Sequence, residues 1–116
     1  MVVEDNREIR HYLSQSLSEN YQVYEASNGK EALAILSENE VNLILTDVMM
    51  PEMDGIQLCN AVKSHLQTSH IPVIILSAKV DVEEQLAGLK MGADDYIPKP
   101  FSLAIVKAKI FNILRT

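Results

Sequence analysis

Five residues of this 116-residue chain have side chains that could do chemistry together: Glu4, Asp5, Asp47, Ser77 and Lys99. Asp47 is the centre. It follows the apolar run Leu43-Ile44-Leu45 and precedes Pro51 and Asp54-Gly55, which are turn residues. Three carboxylates brought together repel and cannot all ionise cheaply without a compensating charge. A divalent cation supplies one. An oxygen-only ligand set without a His or Cys pair suits Mg²⁺, which takes one or two carboxylates plus phosphate oxygens. Lys99 adds a fixed positive charge for an anion on Asp47, and Ser77 adds a hydroxyl donor. A carboxylate beside Mg²⁺, an ammonium and a hydroxyl is the equipment of an acyl-phosphate. It provides a nucleophile and neutralises the charge of a transferring phosphoryl group.

Singly, each residue has a plainer reading. Glu4-Asp5 can cap a helix, Asp47 can be a solvated strand end, and Ser77 and Lys99 can be surface residues. What joins them is the set of elements that must carry them. The run ending at Asp47 reads as a strand buried on both faces, the kind found in parallel sheets. Strands are expected at residues 1–3, 21–26, 41–46, 73–76 and 95–98. Helices are expected from Asp5 or Asn6 to about 19, at about 30–37, 56–66 and 81–91, and after Ser102 as cap. Gly92 is the C-cap of the fourth helix. The alternation is a βαβ series, hence a doubly wound parallel sheet with helices on both faces. In such a sheet all carboxyl ends lie on one edge, and the five polar residues stand at those ends. The first strand is short for a central one and reads as truncated at its N-terminus.

The bulk composition narrows the function. A net charge of −6 argues against a nucleic-acid surface in this domain. No apolar run approaches the roughly 18 residues needed to span a bilayer, and there is no secretory signal. The single Cys59 excludes an internal disulfide, reads as a core thiol and suits a reducing, cytoplasmic compartment.

Four segments, VVEDN, LTDVMMPEMDG, IPVIILSAK and GADDYIPKPF, occur in order and in register with the strand ends. Over nearly its whole length the chain resembles the receiver domain of two-component response regulators. The resemblance implies a flavodoxin-like (βα)5 fold, a five-stranded parallel sheet in the order 2-1-3-4-5 spanning 1–116. It implies Asp47 as phosphoacceptor, with Glu4, Asp5 and the Met49 backbone carbonyl on Mg²⁺. Ser77 and Tyr96 become the switch pair, and Lys99 the phosphate partner. The implied donor is a phosphohistidine on a histidine kinase or phosphotransfer domain. Phosphorylation would remodel the surface of the predicted fourth helix, the fifth strand and the last helix. The implied output is a domain on the same or another chain, for instance a DNA-binding regulator, or a phosphorylation-dependent homodimer. The segment at 68–79 is similar to receivers embedded in hybrid histidine kinases.

Glu4 departs from the Asp more often found there, which leaves direct or water-mediated metal contact open. Met49 and Lys79 flank the path of a hydrolytic water and offer it no good acceptor, so a long-lived acyl-phosphate is expected. Lys99-Pro100 is expected to be cis. On this reading the domain is a switch and not a turnover enzyme. The alternatives are a haloacid-dehalogenase-like phosphatase, which would usually carry a second Asp where Met49 stands, and a phosphate-independent binding module.

Overall fold

Branched apolar residues build the middle of the sheet. Ile44–Asp47 form β3 and Val73–Ser77 form β4, and every residue of both is buried. The computed structural model describes residues 1–78, 86, 90 and 92–115. Around the two central strands lie β1 (Val2–Val3), α1 (Arg7–Leu17), β2 (Glu25–Ala26) and α2 (Gly29–Glu38). They are followed by α3 (Gly55–Ser64), β5 (Asp95–Pro98) and α4 (Leu103–Leu114). The strands are all parallel in the order β2-β1-β3-β4-β5, a flavodoxin-like arrangement.

Side chains alternate across the sheet and so divide the core in two. On one face Val3, Ile44, Val73 and Ile75 pack with Ala32, Leu58, Cys59 and Val62 from α2 and α3. On the other face Val2, Leu45, Ile74, Leu76 and Ile97 meet Leu13, Leu17, Val106 and Ile110 from α1 and α4. Burying one such aliphatic side chain contributes about 1.5–3 kcal/mol. Both faces must therefore be covered for the sheet to be stable. Burial also pushes the pKa of the Cys59 thiol up, away from nucleophilic character.

Helices α1, α2 and α3 start at side-chain caps. Asn6 Oδ1 accepts from the Ile9 amide at 3.1 Å, and Asn28 Oδ1 from the Glu31 amide at 2.9 Å. At α3, Asp54 and Gln57 form a reciprocal capping box. With Asn6 as the cap of α1, Asp5 is released from that role. Ser102 holds the cap position of α4 but makes no side-chain cap bond, contrary to its expected role. The second strand is shorter than residues 21–26, because β1 pairs with it through only Val2 and Val3. Beyond that pairing, the Tyr24 carbonyl still accepts from the Val2 amide at 2.8 Å. The third strand begins three residues later than expected and takes in Asp47, which pairs with Leu76. Val41 and Leu43 are buried without joining the ladder.

The expected helix at 81–91 lies mostly outside the described residues, and Gly92 after it has φ +97°, the left-handed region a C-cap glycine uses. Lys99-Pro100 is cis, as expected. At the N-terminal edge of the sheet, Lys63 Nζ donates to the Ile71 carbonyl at 2.6 Å and pairs with Asp94 Oδ2 at 3.1 Å. The same Asp94 oxygen accepts from the Val73 amide at 2.8 Å. A cleft of about 180 Å³ opens at that edge between residues 21–24 and 40–43, and Glu4, Asp5 and Asp47 take no part in lining it.

Candidate functional site

At the carboxyl edge the chain delivers Asp47 as the last residue of β3, only 6% exposed. Its backbone is backed closely by the start of α3. The Gly55 amide donates to the Val48 carbonyl at 2.9 Å, and a Cβ on Gly55 would overlap the Asp47 carbonyl oxygen. Glycine is required here by that close approach. β5 ends beside β4, where the Lys99 amide donates to the Ser77 carbonyl at 2.6 Å. From there the Lys99 side chain reaches across the edge. Its Nζ lies 2.6 Å from Asp47 Oδ1 and 3.4 Å from Glu4 Oε1.

The end of β1 supplies the other two acids. Carboxylate oxygens of Glu4, Asp5 and Asp47 lie within 4.8 Å of one another, with Glu4 and Asp47 buried and Asp5 exposed. Glu4 Oε2 accepts from the Asn6 amide at 3.0 Å. Burial raises the pKa of the Glu4 carboxyl, and a hydrogen bond with Asp5 and the charge of Asp47 raise it further. The Asn6 amide and Lys99 pull the other way without prevailing. For Lys99, burial acts to lower the pKa. Its hydrogen bond and attraction to Asp47, with help from Glu4, outweigh burial and hold the pKa above its ordinary value. The site therefore has more negative charge than one ammonium balances. Its donors are all oxygen, as a hard divalent cation such as Mg²⁺ requires. The residues fit that ion.

Of the residues predicted from sequence, Glu4, Asp5, Asp47 and Lys99 are brought into contact. Ser77 is on the same edge, 2% exposed, paired with Pro98 in the ladder. Tyr96 is half-buried one strand away, opposite Ile75, and packs against the core on the α2–α3 face. Met49 is 70% exposed in the loop after Asp47. Lys79 lies outside the described residues.

Two participants escaped the sequence reading. Gly55 was legible only as a turn residue. Arg10 of α1 donates from Nη1 to the Glu4 carbonyl at 2.8 Å and pairs through Nε with Glu25 Oε1 at 3.3 Å. Its one signal in the sequence is a position one helical turn past the Asn6 cap.

Comparison with known proteins agrees with this architecture. The response regulator receiver domain model matches residues 1–111. The chain is 41% identical over 114 residues to histidine kinase P4 of Formosa agariphila, covering 98% of this chain and 8% of that protein. It is also 41% identical over 116 residues to response regulator MprA of Mycobacterium sp. strain KMS, covering 99% of this chain and 50% of that one. It thus spans at most half the length of these relatives. Among solved structures, the receiver domain of a signal transduction histidine kinase from Syntrophus aciditrophicus superposes with a TM-score of 0.92 at 36% identity. That match covers 98% of this chain and 87% of the other. The order of the strands, the acidic edge and these matches lead to one conclusion: the chain belongs to the response regulator receiver domain family.

Proposed function

We propose that this domain is a phosphorylation switch in which Asp47 takes a phosphoryl group from a phosphohistidine on a partner histidine kinase or phosphotransfer domain. The observation that carries this reading is the Asp47 carboxylate held 2.6 Å from Lys99, with Glu4 and Asp5 close by. An Asp47 oxygen attacks phosphorus in line, so that an O–P bond forms as the imidazole N–P bond breaks. The imidazole leaves and takes up a proton from solvent. Asp5, Asp47, the Met49 carbonyl and Glu4 would hold Mg²⁺, which would supply charge neutralisation for the phosphoryl oxygens.

Lys99 then exchanges its Asp47 partner for the phosphoryl group, and the Ser77 hydroxyl donates to the same group. Tyr96 follows inward, and the surface formed by β5, α4 and the segment at 81–91 changes shape. That surface drives an output on the same or another chain, and a phosphorylation-dependent homodimer is one form it takes. Met49 and Lys79 leave a hydrolytic water unassisted, so the acyl-phosphate persists. The domain acts in the cytoplasm as a switch and does not turn over substrate. Equal identity to histidine kinase P4 and to response regulator MprA fits an origin in a hybrid kinase and an origin in a separate regulator alike.

Acetyl phosphate with Mg²⁺ provides the test. Intact-mass spectrometry is expected to find one added phosphoryl group in the wild type and none in Asp47→Asn, whose amide is no nucleophile. Full labelling of the Asn variant would remove Asp47 from the role.

A further inference from the structure

The acidic pair sits at a break in the chain, after β1 has ended and before α1 has begun. The Glu4 amide is held there by β2, donating to the Ala26 carbonyl at 3.0 Å. The Glu4 side chain is held by the Asn6 amide. The Glu4 carbonyl, which belongs to the same peptide unit as the Asp5 amide, is held by Arg10 Nη1 at 2.8 Å. Arg10 is itself fixed. Its Nε pairs with Glu25 Oε1, and Glu25 Oε2 accepts from Ser14 Oγ at 3.2 Å. The Arg10 side chain is only 18% exposed, so the guanidinium spans two acceptors, one in the β1–α1 loop and one on β2, from a largely covered position.

We propose that Arg10 is a positioning residue for the acidic pair. By clamping the Glu4–Asp5 peptide it keeps both carboxylates converged on Asp47. It acts through backbone placement and not through its charge. Lysine cannot substitute, because a single ammonium point lacks the planar fork that reaches Glu4 and Glu25 at once. This inference rests on the reading of the three carboxylates as a Mg²⁺ site.

The two possible roles of Arg10 have opposite signs, which makes them separable. A cation near a metal site disfavours the metal, so a through-space role means that Arg10→Gln tightens Mg²⁺ binding and Arg10→Lys leaves it unchanged. A positioning role means that both variants weaken it. Calorimetric titration of the chain with MgCl2 is expected to show a Kd raised about tenfold in both, the scale on which residues supporting metal ligands act. Melting without Mg²⁺ establishes that each variant is folded. Asn28→Ala, which removes the cap of α2, serves as the stability control and is expected to lower the melting temperature while leaving the Kd as in the wild type. Wild-type affinity in Arg10→Lys, or tighter binding in Arg10→Gln, overturns the proposal. Absence of saturable Mg²⁺ binding by the wild type would instead overturn the metal reading of the site, and the inference with it.

Discussion

Glu4 is the residue at which the electrostatics of the site can be read from outside. Its folded-state pKa is raised, chiefly by burial. Between the ordinary value of 4.5 and that raised value, the native state binds more protons than the unfolded chain. Stability without metal therefore falls as pH rises through this window. Urea unfolding in chelator, at a series of pH values from about 4.5 upward, is expected to show this decline in the wild type. The slope should be flatter in Glu4→Gln, which has no proton to lose. The two acids also differ in how free they are. Glu4 lends one oxygen to the Asn6 amide and has the other near Lys99, whereas Asp5 is exposed. Asp5→Ala is expected to weaken Mg²⁺ binding more than Glu4→Ala, and a titration giving the reverse order would reassign them. For the lifetime of the phosphorylated state, Met49→Asn with Lys79→Glu supplies groups able to orient a water. Phosphate loss at fixed Mg²⁺ and pH is expected to be several-fold faster in that double variant, and equal lifetimes would leave both residues without a kinetic role.

Among the elements, α3 begins hard against the backbone of the acceptor. Gly55→Ala places a methyl group into the backbone of Asp47, which cannot move without breaking the β3–β4 ladder. Overpacking of this kind costs about 1–3 kcal/mol, and denaturant unfolding is expected to show a loss at the upper end together with slowed phosphorylation. At Gly29 an added Cβ would crowd the Met53 side chain at Cβ, Cγ and Sδ; the thioether end can turn aside, but the Met53 Cβ is fixed to a backbone that the Gly29 amide also bonds. Gly29→Ala is therefore also expected to destabilise, toward the lower end of the about 1–3 kcal/mol that overpacking costs and less than Gly55→Ala. Sequence periodicity could not separate these glycines, since both simply open helices. It did place β4 and β5 within a residue, because β4 is a short branched apolar run opened by Ile71-Pro72 and β5 a short run closed by Lys99-Pro100. It extended β2 too far because alternation in Tyr21–Tyr24 reports burial, while a strand also needs a neighbour to pair with. The choice between Asp5 and Asn6 as cap of α1 was likewise invisible, since both side chains can accept the bond.

For the molecule as a whole, the convergence of strand ends follows from parallel topology alone, so the positions of Asp47, Lys99 and the acidic pair were legible in the sequence. The Arg10 clamp was not, because it depends on how a helix lies across two strands. Ligand linkage connects the site to the entire fold. If Mg²⁺ binds only the native state, raising it to a hundred times Kd stabilises the domain by about 2.7 kcal/mol. The melting temperature should climb accordingly in the wild type and far less in Asp5→Ala. Lys63 adds a mechanical constraint. With Asp94 it ties the beginnings of β4 and β5 together at the edge remote from the site. At the opposite edge the Lys99 amide bonds to the Ser77 carbonyl at 2.6 Å, so the two strands are fastened at both ends of their ladder. Strands joined in this way carry Ser77 and Lys99 as one unit, and a shift of either main chain is passed to the other through a single hydrogen bond.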